Sequence, residues 1–319
     1  MRNALITAAT VLVVLVGIDV ALRADDTIPE PAHWPSPYTQ LHYTALQEID
    51  DLDLVVLGSS IGATDIAAER LIDGTVYNAS LPARGPSIWL PWYRDVVAAK
   101  QPDIVVIATD LRFFDGTDPF QPEYLEEFVD SPGYRRATEG PAVSDFAGDF
   151  WELYRLRGHL TQPDLVVDAM IGRDVAAWRP IRVGQYGQVQ GFLSSSHDPD
   201  PEWLATLERA WEDAEWGGPQ DEALRKIVEL AQSNGSQVVL TITPSMRSLL
   251  ASALPGGEDD IDEYENANRT NGEDYGVPVL AYPELDDQSG FYGGYYHMNR
   301  AGSWALSDRL AADLEDLFG

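Results

Sequence analysis

Val55-Val56-Leu57-Gly58-Ser59-Ser60-Ile61-Gly62 is an apolar run that passes directly into glycine, two serines and a second glycine. A short aliphatic run bounded in this way reads as a strand buried on both faces. Glycine permits the tight corner by which such a strand turns into a helix. A serine at that corner stands at a carboxyl end of the sheet, with its N–H near a helix N-terminus. Partial positive charge there can stabilise an oxyanion. The same corner also suits a phosphate-binding or purely structural turn, and the Gly-Ser-Ser tripeptide alone does not choose among them.

Working outward, further short apolar runs occur at residues 75–77, 104–108, 237–243 and 277–281, which with residues 52–57 makes five candidate strands. Helical stretches fit at 66–71, 88–100, 221–233 and 301–317. Strands alternating with helices indicate βαβ units, a parallel sheet and helices on both faces. The expected fold class is therefore α/β, a three-layer, flavodoxin-like parallel sheet of about five strands.

The pattern fails between about 113 and 219, where Trp, Tyr, Pro and acidic residues predominate. This stretch is too long for a plain loop and reads as a mostly helical insertion after the third strand. It either shapes access to the strand ends, where ligands bind in open α/β sheets, or decorates the fold by packing alone.

The chain carries 52 acidic against 21 basic residues, a formal charge of −31, yet 45% of its residues are hydrophobic. A core is therefore available, and the acid must coat a folded surface. Lys100 and Lys226 are the only lysines. An acidic, lysine-poor surface suits concentrated salt, where a Debye length of roughly 3 Å screens carboxylate repulsion; a moderately acidic protein of an ordinary environment is the alternative. Either way, phosphate would be repelled, which argues against a nucleic-acid partner. The absence of cysteine excludes disulfides and thiolate chemistry.

Arg2 precedes an apolar run over residues 4–22, about the length needed to cross a hydrocarbon core. Leu22-Arg23-Ala24 is a poor signal-peptide cleavage site. The expected organisation is a membrane anchor at 1–24 set in a lipid bilayer, a Pro- and acid-rich linker at 25–37, and a globular domain at 38–319 outside the cytoplasm.

Of the five histidines, His33, His42, His159 and His197 have no nucleophile-like or metal-ligand pattern around them and read as structural. His297 differs, because Phe291-Tyr292-Gly293-Gly294-Tyr295-Tyr296-His297-Met298-Asn299 leads straight into a terminal helix. Its loop can fold back onto the end of the first strand, where a Ser–His hydrogen bond activates a nucleophile. The tyrosines beside it suit a sugar ring or an acyl chain. Trp89, Trp92 and Tyr93 are expected to pack on the sheet. The run at 258–265 (EDDIDEYE) lacks calcium-loop spacing and reads as a solvated acidic loop.

Together, Gly58-Ser59-Ser60-Ile61 and the His297 loop resemble the SGNH (GDSL-like) superfamily of esterases, lipases and carbohydrate O-acyl-transfer proteins. The resemblance implies Ser60 as nucleophile, with Ser59 the alternative serine at the turn, and His297 as base, with no metal or organic cofactor. Tyr77-Asn78-Ala79-Ser80 through Gly85 resembles the second block, whose glycine lends an oxyanion N–H; direct spacing offers Ala83, and Gly85 requires a small insertion. The third block should follow residues 104–108, where Thr109-Asp110-Leu111-Arg112 stands and the family's Asn is absent. Thr109, Asp110 and Arg112 are the candidates to support the oxyanion. In the last block Gly294 occupies the place of the orienting Asp, which leaves Asp286 and Asp287 upstream as candidates.

The implied activity is that of an extracytoplasmic serine esterase or O-acyltransferase on acyl groups of a surface polysaccharide or other small ester, with a membrane-bound O-acyltransferase as possible partner. The alternative is a membrane-anchored binding or assembly subunit that keeps the fold without turnover.

Overall fold

A computed structural model describes residues 37–109, 121–139, 218–293 and 297–319, together with positions 7, 10, 13–17, 19–20, 182–183 and 189–190. Residue contacts divide the chain into two units, one of residues 1–35 and 131–180, the other of 36–130 and 181–319. In the first unit the described N-terminal positions and Pro132–Glu139 are helical. No helix among the described residues is long and apolar enough to cross a membrane. The expected anchor falls on a segment described at only nine of its positions, and most of the expected linker lies outside the described residues.

The second unit is built on five parallel strands: β1 (Leu54–Gly58), β2 (Val76–Asn78), β3 (Ile104–Thr109), β4 (Gln237–Ile242) and β5 (Val279–Ala281). Their order is β2-β1-β3-β4-β5, the flavodoxin-like arrangement. Every residue of β1 and β3 is buried, as continuous apolar runs demand when helices cover both faces. The helices are α1 (Pro37–Gln47), α2 (Ser60–Asp65), α3 (Pro86–Trp92), α4 (Gln121–Asp130), α5 (Pro219–Ser233), α6 (Arg247–Ala251), α7 (Glu258–Tyr275) and α8 (Arg300–Phe318). Leu306, Leu310 and Leu314 repeat every four residues along α8 and pack with Leu54, Val56, Val106 and Val239 of the sheet. Of the expected insertion, the described parts are α4, Pro132–Glu139 and the antiparallel strand pair Arg182–Val183 and Val189–Gln190.

All five strands stand within two residues of their expected places, but two helical expectations and one loop expectation are corrected. The helix drawn at 66–71 begins instead at Ser60 and stops at Asp65, with Ile66 extended and a single 3-10 turn at Ala68–Arg70. The stretch at 88–100 contains Pro91, which cannot supply its helical N–H; after it the helix widens into a π turn at Tyr93–Val97 and tightens into a 3-10 turn at Ala98–Lys100. The EDDIDEYE run is no loop but the opening of the 18-residue α7. Glu258, Asp259 and Asp260 occupy its first turn, where negative charge favours a helix start, and Arg247 pairs with Glu258, Asp262 and Glu265.

His42 of α1 is wholly buried with the Tyr77 hydroxyl 2.9 Å from Nδ1. Burial lowers its imidazole from 6.5 to about 4. As pH falls through 6.5 the unfolded imidazole binds a proton that the folded one refuses, so stability is lost until about pH 4. His42→Leu removes this effect. The stability difference between wild type and variant should therefore change by roughly 3 kcal/mol between pH 7 and 4 in urea titrations, wild type falling faster.

Candidate active site

β1 ends on Gly58, which lies opposite Ala108 of β3. A Cβ on Gly58 would sit 3.0 Å from the Ala108 Cβ, 3.1 Å from the Ala108 carbonyl oxygen and 3.2 Å from the Gly62 Cα, so any larger residue would press on the corner and make its neighbours give by a few tenths of an ångström. Ser59 is the N-cap of α2, its Oγ accepting from the Ile61 N–H at 3.3 Å, and it is wholly buried. Ser60 is then the first residue of α2 and retains 8% exposure. It emerges beside β1 where neighbouring connections diverge to β2 and β3, the switch point at which open α/β sheets bind ligands.

The loop after β2 braces this corner. Asn78, buried, donates through Nδ2 to the carbonyls of Gly62 at 2.7 Å and Ile66 at 3.0 Å, and accepts from the Ser80 N–H at 3.2 Å. The Leu81 N–H donates to the Gly58 carbonyl at 2.8 Å.

His297 arrives on a hairpin closed by the Tyr292–Met298 bridge, with the Gly293 N–H bonded to the His297 carbonyl and the Asn299 N–H to that of Phe291. Asn299 caps α8 by accepting from the N–H groups of Ala301 and Gly302. His297 Nδ1 lies 3.0 Å from Thr64 Oγ1, and that same oxygen lies 2.9 Å from the Ser60 carbonyl, one helical turn earlier. Thr64 Oγ1 also donates to Asp65 Oδ1 at 2.6 Å. Asp65 is wholly buried, accepts from the Met298 N–H at 3.0 Å, and places Oδ1 3.8 Å from His297 Nδ1. The structure therefore sets His297, with 22% of its side chain exposed, against Thr64 and Asp65 of the helix that Ser60 begins.

The remaining expected residues are placed differently. Asp286 and Asp287 are bonded to the segment at 245–248. Asp286 accepts from the Ser245 N–H at 2.8 Å, and burial pushes its carboxyl up to about 6. Asp287 accepts from the Ser248 N–H and hydroxyl. The carboxylate set against His297 is that of Asp65, which sequence reasoning missed. Its one signal is spacing: Thr64 follows Ser60 by a helical turn, which is visible only once the helix is known to begin at Ser60.

Thr109 is wholly buried, its hydroxyl donating to the Thr241 carbonyl at 3.2 Å and accepting from the Tyr264 hydroxyl at 2.9 Å. Its proton is spent within the sheet, so it is no oxyanion donor. Gly85 is the buried N-cap residue of α3, its carbonyl accepting from the N–H groups of Ile88 and Trp89. Ala83, at the directly spaced position, takes φ 56, a left-handed conformation that glycine adopts without strain. Asp110, Arg112, Gly294, Tyr295 and Tyr296 lie outside the described residues. Tyr292 is 1% exposed and donates to the Leu285 carbonyl, so it is packing and not a ligand platform.

A small cleft, open to solvent, lies at the carboxyl ends of β4 and β5 and reaches Ile61, the neighbour of Ser60. Ile242, Leu250, Ile261 and Tyr282 make its wall largely apolar, with Arg247 and Asp286 among its polar groups.

No protein-family model matches the chain, and no curated protein matches its sequence. Solved structures do resemble it. One is described as an acylhydrolase of Bacteroides fragilis, at 11% identity and a TM-score of 0.45, covering 91% of this chain and 99% of that one. Another is the acetyl xylan esterase AlAXEase, at 13% identity and 0.40, covering 82% and 99%. A third is described as a GDSL-like lipase of Parabacteroides merdae, at 11% and 0.38, covering 84% and 97%. Likenesses this loose leave the site to stand on its own geometry.

Proposed function

We propose that this chain is an SGNH-type serine ester hydrolase or O-acyltransferase. The observation that carries the reading is His297 Nδ1 held against Thr64 and Asp65 of the short helix that Ser60 begins, which brings the two residues the sequence singles out to one corner of the fold. Ser60 Oγ attacks an acyl carbonyl while His297 takes its proton. The tetrahedral oxyanion collapses as His297 returns that proton to the departing alcohol oxygen. The resulting acyl-enzyme passes its acyl group to water in hydrolysis, or to a sugar hydroxyl in transfer. The Ser60 N–H at the start of α2 and an N–H of the loop near Gly85 are the oxyanion donors.

The finer reading is a domain held outside the cytoplasm by residues 4–22 in a lipid bilayer, acting on acyl groups of a surface polysaccharide beside a membrane-bound O-acyltransferase. What supports the anchor is the apolar run itself, helical where described, with Val13, Val14 and Val20 each more than half exposed. What supports the substrate class is the resemblance of a Gly-Ser-Ser turn behind one anchor to such proteins.

A fluorophosphonate probe tests the reading. It should label the folded chain in molar salt, with the adduct mapped to Ser60 by peptide mass spectrometry. An unlabelled Ser60 would favour the second reading, a non-catalytic binding or assembly subunit, for which the engaged Thr109 hydroxyl is the specific argument.

A further inference from the structure

Thr64 Oγ1 carries one proton and has three polar neighbours: the Ser60 carbonyl at 2.9 Å, Asp65 Oδ1 at 2.6 Å and His297 Nδ1 at 3.0 Å. Two of these accept: the Ser60 carbonyl, and Asp65 Oδ1, which also takes the Met298 N–H. The shortest contact is to the carboxylate oxygen, so the hydroxyl proton points to Asp65. Were it turned to the histidine, two oxygens 2.6 Å apart would face each other with no hydrogen between them. The hydroxyl lone pair then needs a donor, and His297 Nδ1 is the only one of the three neighbours able to supply it.

We propose that Thr64 and Asp65 are the positioning pair of this site, holding His297 in its Nδ1–H tautomer through the relay His297 Nδ1–H to Thr64 Oγ1–H to Asp65 Oδ1. Nε2 is thereby the basic nitrogen. When it takes a proton, the imidazolium faces a buried carboxylate 3.8 Å from Nδ1, itself anchored by the Met298 N–H. The pair replaces the orienting acid whose place in the sequence is taken by Gly294. A threonine between base and acid also explains how Asp65, on the nucleophile's own helix, can serve a histidine brought from the other end of the chain.

The consequence for turnover rests on Ser60–His297 catalysis, whereas the tautomer does not, so the two are read separately. The full chain, in detergent micelles with ¹⁵N-labelled histidine, reports the tautomer of His297 by NMR, the signal being assigned with His297→Gln. The wild type should show a protonated Nδ1 and an unprotonated Nε2. Thr64→Val, which keeps the volume, should shift the population toward Nε2–H and slow fluorophosphonate labelling of Ser60 by roughly 10²-fold. Thr64→Ser should restore both, and Asp65→Asn should disturb both. A wild-type Nε2–H tautomer, or a Thr64→Val protein unchanged in both readouts, overturns the relay. The expected tautomers with no labelling of any variant would uphold the relay and overturn the catalytic reading.

Discussion

Ser60→Ala and His297→Ala are each expected to lower hydrolysis of a small acetyl ester, measured in molar salt, by on the order of 10⁴-fold or more, and the double variant no further than either single one. Nucleophile and base act as one unit, so removal of either abolishes the same step, and their effects do not add. What remains is the contribution of oxyanion donors and binding. The fold should not confuse the result. Ser59 is the N-cap that takes the Ile61 N–H, and the substitution at Ser60 leaves a good helix former at the first position of α2. Ser59→Ala offers the converse. It loses the N-cap, about 1 kcal/mol of stability, while leaving the nucleophile in place. Equal residual rates in wild type and Ser60→Ala would sink the catalytic assignment, and a Ser59→Ala protein as inactive as Ser60→Ala would move the nucleophile to the other serine.

Gly302→Ala should damage both stability and activity although it lies outside the reacting groups. A Cβ at Gly302 would fall 2.2 Å from the Phe291 carbonyl oxygen and 2.8 Å from the Phe291 Cβ. That carbonyl is not free to turn aside, because it accepts from the Asn299 N–H at 2.7 Å and closes the hairpin that carries His297. Backbone must therefore move. Overpacking of this kind costs about 1–3 kcal/mol, only partly offset by the better helix propensity of alanine. A displacement near 1 Å at the histidine costs about 10²-fold in rate. Gly290 is the control, since a Cβ there meets nothing within 4 Å, and Gly290→Ala should stay within about 0.5 kcal/mol of wild type. Urea titration and ester kinetics on the two variants read both effects. A Gly302→Ala protein with wild-type stability and rate would show that the hairpin does not hold His297 in place.

Strands were legible because burial on both faces leaves a local mark, an uninterrupted aliphatic run, at residues 54–58, 104–109 and 237–242. Helix bounds beside the site were less so. Ile66, Ala67, Ala68 and Leu71 have the spacing of a helical face, and all are buried. Yet the Ala67 N–H is taken by the Ser307 hydroxyl of α8 at 2.8 Å, and the Gly62 and Ile66 carbonyls by Asn78. Side chains far along the chain captured the groups a helix would have used, and no local pattern announces that. The acidic run that opens α7 was misread for a related reason. Its charge suggested solvent, whereas position at a helix N-terminus and proximity to Arg247 are what stabilise it.

The sequence by itself determined the α/β class and put forward two candidate side chains, because a strand-to-turn corner and a histidine before a terminal helix are features of contiguous residues. The tertiary structure decided which groups surround them. It placed Ser59 as a cap, bonded Asp286, Asp287 and Thr109 to other partners, and set Thr64 and Asp65 against His297. The contact between Thr64 and His297 spans 233 residues, and it exists because α2, which follows β1, packs against α8. Hydrogen-bond partners at such separation are chosen by packing, and packing is not written in any one stretch of the chain.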